Sequence, residues 1–445
     1  MGEILGRVMT VAGSQITVNP EAEIGDEALF RIGAMVKVGS GDLEVVATIS
    51  AVRFESNSPS KPILFADLLG EIVAADEGPS RFRRGVTQHP ISGTPVVAAT
   101  GADLTTIFAH LERSNVRIGT LYNDSGQPAF VLVNELLRKH FAVLGTTGSG
   151  KSCAVSLLLS AILADYPMAH IILIDPHNEY RRVFGKVAEV INIDNLQLPF
   201  WLFDFEEAVG ILVRGGTAQE QEAQALILKD AITRARRHYA GESHVATTLS
   251  VDTPTPFRVS DLIRFIYEAM GKLDKPDTSM PYLRLKTRLE SLRDDRRFSF
   301  MFSDWLAGQD ALSQIVGRLL RIPVSGKPLT IMDLSGVPSE IADVVVSLSC
   351  RLIFDFAVWS DRGRMPPVLL VCEEAHRYVP ADERVGFAAT ARAITRIARE
   401  GRKYGVSLAL IRSDPLSCRP RRFPSVAQFS RSGSQTSLTS ASWKR

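Results

Sequence analysis

Over the first 85 residues apolar side chains fall in short runs, at 15–18, 28–30, 35–38, 43–52 and 62–65, rich in β-branched residues. Gly, Pro, Asn, Asp and Ser interrupt them at close intervals, which predicts a small β-barrel or sandwich. Strands this short need closure or a second sheet to persist. Residues 86–140 read as a bridge, with extended segments at 93–100 and 119–122 around a short helix at 103–112. From residue 141 the pattern changes. Continuous apolar runs at 141–144, 170–174, 329–334, 367–372 and 406–411 have the character of strands buried on both faces. Helical periods at 153–163, 339–358 and 385–404 alternate with them. That alternation predicts an α/β fold, a mostly parallel sheet with crossover helices. Between 195 and 325 strand signals give way to helical periods at 205–213, 218–239 and 260–270, with a loop-like stretch at 236–256. The predicted organisation is a β-barrel at 1–85, a bridge at 86–140 and a first core segment at 141–194. A helical subdomain at 195–325, a second core segment at 326–411 and a tail at 412–445 complete it.

The chemistry sits at the joints of this pattern. Between the strand at 141–144 and its helix lies Gly145-Thr146-Thr147-Gly148-Ser149-Gly150-Lys151-Ser152, followed by Cys153. It matches G-x-x-x-x-G-K-[ST] in the strand–loop–helix setting that makes the pattern a phosphate site. Glycines let the backbone curl so that its N–H groups face one point, and the helix N-terminus adds partial positive charge there. Lys151 is placed to reach the β- and γ-phosphates, and the Ser152 hydroxyl to ligate Mg²⁺. A bound nucleoside triphosphate such as ATP, with its Mg²⁺, is the expectation.

The run at 367–372 ends at Glu373-Glu374, a Walker B arrangement. There the first carboxylate holds Mg²⁺ through its water shell and the second polarises the attacking water. Glu in place of the commoner Asp at the first position lengthens the reach to the metal. Asp175 ends the run at 170–174, where polar groups face the ligand crevice of a parallel sheet. Phosphoryl transfer also needs positive charge at the γ-phosphate, often an arginine from a neighbouring subunit. Arg399 and Arg402 are the candidates, Arg399 favoured, and a plain helix-surface charge is the alternative for each.

Composition narrows the class without naming a partner. Among 445 residues, 45% are hydrophobic and 22% charged, as in ordinary soluble globular proteins. No apolar run reaches membrane-spanning length and the first residues lack a signal-peptide core, which points to a cytoplasmic protein away from the membrane. The four cysteines show no zinc or redox spacing and fit reduced thiols. The net charge of +2 hides an asymmetry: seven of 51 basic residues but one of 49 acidic ones lie from Arg412 onward. Before that point acidic residues are in excess, so any nucleic-acid contact must come from local patches.

Asp175-Pro-His-Asn-Glu-Tyr180, Glu373-Glu-Ala-His-Arg-Tyr378 and Ala398-Arg-Glu-Gly-Arg-Lys-Tyr-Gly405 together resemble the HerA helicase family, from the barrel to about Ile411. The resemblance implies a RecA-like P-loop ATPase core, related to the FtsK translocases, behind an N-terminal β-barrel. It also implies a homo-oligomeric, hexameric ring that moves double-stranded DNA through its centre with ATP. A nuclease of the NurA type would stand beside it, in DNA end processing or defence. By the same match Lys151 and Ser152 bind phosphate and Mg²⁺, Glu374 activates water, and Asp175 helps organise metal and water. The related secretion and conjugation ATPases, and a nucleotide-binding scaffold without turnover, are the competing expectations.

After Ile411 the chain departs from that family, which continues with Gln-Arg-Pro. Here it reads Arg412-Ser-Asp-Pro-Leu-Ser-Cys-Arg-Pro-Arg-Arg422 and goes on as a Ser/Arg/Thr-rich tail. Encoding Arg412 to Cys418 as CGC AGC GAC CCT CTG AGC TGT and reading two bases in gives Gln-Arg-Pro-Ser-Glu-Leu. The expectation is a frameshift after Ile411; a disordered basic tail is the alternative. Either would leave the strand at 406–411 without a neighbour or its ending residues.

Overall fold

The computed structural model describes residues 4–21, 31–41, 43–55, 58–74, 80–108, 115–120, 128–241, 248–271, 279–302, 304–307, 311–361, 366–379, 388–413, 427–432 and 435–439. The chain divides into two compact units, Met1–Leu132 and Val133–Arg445.

In the first unit, β1 (Ile4–Ala12), β2 (Gln15–Pro20), β3 (Met35–Ser40), β4 (Leu43–Glu55), β5 (Ser58–Val73), β6 (Arg81–Arg84) and β7 (Pro95–Ala98) form one sheet. Its order is β2-β1-β7-β3-β4-β5-β6, and a further β2–β5 pairing closes it into a barrel. Alternation does the sorting: Ile16 and Val18, Val36 and Val38, Leu64 and Ala66 all face the barrel core. The domain boundary expected at 85 needs correcting. β7 lies between β1 and β3, so without residues 95–98 the barrel would stand open. The run expected at 28–30 lies outside the described residues. Beyond the barrel come α1 (Gly101–Ile107) and a hairpin of β8 (Asn115–Thr120) with β9 (Pro128–Leu132). Thr100 and Asp103 cap α1 reciprocally, and this fixes its start two residues before the expected one.

The second unit is a layered α/β structure. Its sheet runs β12 (Ala188–Ile191), β13 (Leu329–Asp333), β11 (His170–Asp175), β14 (Val368–Cys372), β15 (Val406–Arg412), β10 (Phe141–Leu144), β16 (Ala427–Ser432), β17 (Gln435–Thr439). All neighbours are parallel except β16 and β17. Every residue of β11, β13, β14 and β15 is buried. That explains why these runs are apolar throughout rather than alternating.

The connecting helices are α2 (Val133–Arg138), α3 (Lys151–Asp165), α4 (Phe205–Leu212), α5 (Ala218–Ala240), α6 (Val259–Met270), α7 (Met280–Asp294), α8 (Ala311–Leu320), α9 (Ser339–Trp359) and α10 (Ala388–Glu400). Capping boxes at Asp204/Glu207 and Thr217/Glu220 set the starts of α4 and α5. The helical subdomain has no core of its own. Phe200, Trp201, Leu228, Leu285 and Phe302 belong to the same apolar cluster as Ile172, Leu370 and Leu410 of the sheet. Buried Glu207 ties α4 to α9: it accepts from Ser347 Oγ at 2.9 Å and from Arg351 Nη2 at 2.9 Å. The charged string of α7 and the turn after it is largely spent locally, as Arg284–Glu220, Lys286–Glu290 and Arg297–Asp295 pairs.

The segment after Ile411 differs from the expectation. β15 runs on to Arg412 and is flanked by β14 and β10, so neither of its edges is open. The outer edge of β10 is taken by β16, and β16 pairs with β17 as a hairpin. The unpaired N–H and C=O groups of a strand edge accept almost any extended backbone, whatever its side chains. Residues 414–426 lie outside the described residues. No described helix is long and apolar enough to cross a membrane.

Candidate nucleotide-binding site

The sheet order places the P-loop strand β10 one strand away from β14, with β15 between them. All three are parallel, so their C-terminal ends open into one crevice, the usual ligand edge of such a sheet. Gly145 N–H donates to the Arg412 carbonyl at 3.3 Å, which anchors the loop on the end of β15. Gly148 and Gly150 have φ of 78° and 84°, left-handed values that only glycine adopts without strain. A Cβ on Gly145 would stand 2.5 Å from Ser149 Oγ. A side chain at the base of the loop would therefore have to displace the Ser149 hydroxyl. Lys151 Nζ donates to the Thr146 carbonyl at 3.1 Å, folded over the curl whose N–H groups a phosphate would meet. Thr146, Thr147 and Gly148 are exposed at its rim, and Cys153 is exposed in the first turn of α3. Val155, Leu159 and Ile162 bury the other face of that helix.

The acidic residues do three different things. Asp175 is 1% exposed, and its oxygens accept backbone N–H bonds from His177, Glu179 and Tyr180 at 3.3, 3.1 and 3.0 Å. These bonds make it the organiser of its own turn, with three of the roughly four acceptor positions of the carboxylate in use. Burial holds its carboxyl above the ordinary range despite those bonds. The turn delivers two residues that sequence reasoning did not single out. Ser152 Oγ donates to Glu179 Oε2 at 2.5 Å, and the Tyr180 hydroxyl donates to Glu373 Oε1. Glu373 is 5% exposed; burial pushes its carboxyl up to about 7 against the pull of the Tyr180 hydroxyl.

Glu374 sits at φ 50°, a strained conformation for a non-glycine residue and one that clusters at functional sites. It turns its carboxylate out of β14, toward Ser413 Oγ at 3.1 Å and His376 Nδ1 at 2.9 Å. Ser413 was not foreseen either, lying in the stretch read as tail.

The arginines are elsewhere. Arg399 ends α10 and Arg402 lies in the 3₁₀ turn Gly401–Tyr404 that precedes β15. Both are exposed, and among the described residues neither forms an ion pair. At roughly 3.3 Å per residue, β15 separates them from the P-loop end of the sheet by about 20 Å. In this chain they do not join Lys151 and Glu374.

Comparison with known proteins gives the family. The model of the family described as "Helicase HerA, central domain" matches residues 116–353, more than half of the chain. The chain belongs to the HerA helicase family. It is 25% identical over 385 residues to the DNA double-strand break repair helicase HerA of Pyrococcus furiosus, covering 78% of this chain and 64% of that one. It is 27% identical over 331 residues to the HerA of Sulfolobus acidocaldarius, covering 73% and 60%. The chain thus spans less than two thirds of the length of these two HerA relatives. Among solved structures it is similar to VirB4 of Thermoanaerobacter pseudethanolicus, with a TM-score of 0.45 and 19% identity over 68% of this chain and 77% of that one.

Mg²⁺ is a hard cation satisfied by one or two protein oxygens together with phosphate and water. Ser152, Glu179 and Glu373 offer hydroxyl and carboxylate oxygens of that kind. No set of three His, Cys, Asp or Glu that would hold a metal unaided occurs among the described residues. The donor set suits a metal that arrives with the nucleotide.

Proposed function

We propose that the chain is the motor portion of an ATP-hydrolysing machine that moves on double-stranded DNA. The observation that carries the reading is the convergence of the P-loop cradle, Ser152 and the strained Glu374 at one edge of the sheet. Family membership supports the DNA part, since the HerA relatives are named as DNA double-strand break repair helicases. The loop N–H groups and Lys151 bind and orient the phosphates. Ser152, with the Glu179 or Glu373 carboxylate, would hold Mg²⁺, which when bound would neutralise charge on the β- and γ-phosphates. Glu374 accepts the proton of the attacking water, with Ser413 and His376 aiming its carboxylate.

With β15 between them and the P-loop, a gap of about 20 Å at roughly 3.3 Å per residue, Arg399 and Arg402 would serve the γ-phosphate of another copy, as in a ring. A hexameric, cytoplasmic ring working beside a nuclease of the NurA type, in end processing or defence, is the fuller form of the proposal. The test is steady-state ATP hydrolysis by the full chain, with and without linear double-stranded DNA. Hydrolysis should rise with DNA and fall at least about a hundredfold in Glu374→Gln. Turnover indifferent to DNA would sink the translocase reading, and an active Glu374→Gln would sink the assigned role of that residue.

A further inference from the structure

We infer that Glu179, rather than Glu373, supplies the carboxylate that joins Ser152 in holding the Mg²⁺ of a bound nucleotide. The inference rests on the nucleotide-binding reading of the P-loop. Asp175 and Glu373, at the same end of the sheet, accept hydrogen bonds from other groups. Asp175 spends its oxygens on three N–H groups of its own turn. Glu373 accepts the Tyr180 hydroxyl on Oε1 and the Glu374 N–H at 3.3 Å on Oε2. Tyr180 is fully buried, so the phenol cannot swing aside without vacating the core. Glu179 is exposed, and it is the one carboxylate hydrogen-bonded to Ser152 among the described residues.

The direction of Glu179 is built in. Asn178, just before it, takes φ 56°, a left-handed value that Asn tolerates and that reverses the chain toward the P-loop. The Glu179 N–H is then pinned on Asp175 at 3.1 Å. A solvent-facing carboxylate beside the metal-ligating hydroxyl can move by the small distance that Mg²⁺ with its waters requires. Glu373, held by a buried phenol, is left as a positioning residue. It fixes the Glu374 N–H, and with it the strained backbone that aims the Glu374 carboxylate.

The test is equilibrium binding of a fluorescent ATP analogue to the full chain in Mg²⁺ and in EDTA. It compares wild type with Glu179→Gln, Glu373→Gln and Lys151→Ala. In Glu179→Gln the gain in affinity that Mg²⁺ confers should shrink by about tenfold or more, while affinity in EDTA stays within about twofold of wild type. Glu373→Gln, whose amide oxygen still accepts from Tyr180, should keep the wild-type gain. A wild-type gain in Glu179→Gln, or its loss in Glu373→Gln alone, overturns the inference while leaving nucleotide binding intact. Binding in EDTA that Lys151→Ala does not weaken, or no binding by wild type in either condition, overturns the nucleotide reading itself.

Discussion

His140, the residue before the P-loop strand, should make the second unit acid-sensitive in a way that one substitution removes. It is fully buried at φ 37°, and its Nδ1 accepts the Leu408 backbone N–H at 2.9 Å. An imidazole that accepts at Nδ1 is neutral, with its proton on Nε2, so protonation would break this link between β10 and β15. Burial, then the charge of Arg402, push its pKa down from 6.5 to about 4.

The sign follows from proton counting. Between pH 6.5 and 4 the unfolded chain carries a proton at this site that the folded chain does not. Stability is therefore whole above 6.5 and lost as pH falls toward 4. The gap corresponds to about 3 kcal/mol, or about 5–10 °C in the Tm of a unit this size. Asn is the informative replacement: it tolerates positive φ, offers an oxygen near the place of Nδ1 and does not titrate. His140→Asn will be less stable at pH 7.5 through lost ring packing, but the difference from wild type should shrink steadily as pH drops to 4. Scanning calorimetry of both proteins at stepped pH makes the comparison, since titrations common to both cancel. Parallel loss of Tm in the two proteins would refute the reasoning.

Other expectations follow from the same structure. Arg351→Met leaves buried Glu207 without its cation and should cost about 3–5 kcal/mol, read as a lower unfolding midpoint. The double variant with Glu207→Met should recover much of that loss, because both charges are then gone; an undiminished loss would show the pair is not what holds α4 to α9.

The core was legible where burial is complete. The strands at 170–174, 329–334, 367–372 and 406–411 stand as continuous apolar runs because both faces of β11, β13, β14 and β15 are covered. β1 was missed. Gly6, Arg7, Met9 and Thr10 interrupt its buried Leu5 and Val8, and a bulge between Val8 and Thr10 shifts the pairing. The extended pattern at β7 is visible, but its place in the barrel rests on long-range pairing with β1 and β3 that no local pattern encodes.

At the site, the P-loop is written in glycines whose φ values demand them. The parts contributed by Glu179, Tyr180 and Ser413 depend on which strand ends meet, and the chain order does not state that. Asp175 shows the converse. Its position at a strand end marks it as polar and crevice-facing, but that three N–H groups within five residues bond to it is local turn geometry that the pattern does not show. Arg399 and Arg402 lie beyond the far end of β15 from the P-loop, a placement that sequence distance past Walker B does not encode.

The central claim is that the curl from Gly145 to Ser152 binds the phosphates of ATP. Isothermal titration of ATP and Mg²⁺ into the purified chain, wild type beside Lys151→Ala, tests it most directly. The account predicts saturable binding that weakens at least about tenfold when the Lys151 ammonium is removed. Equal affinity in the two proteins, at matched folded content, would contradict it.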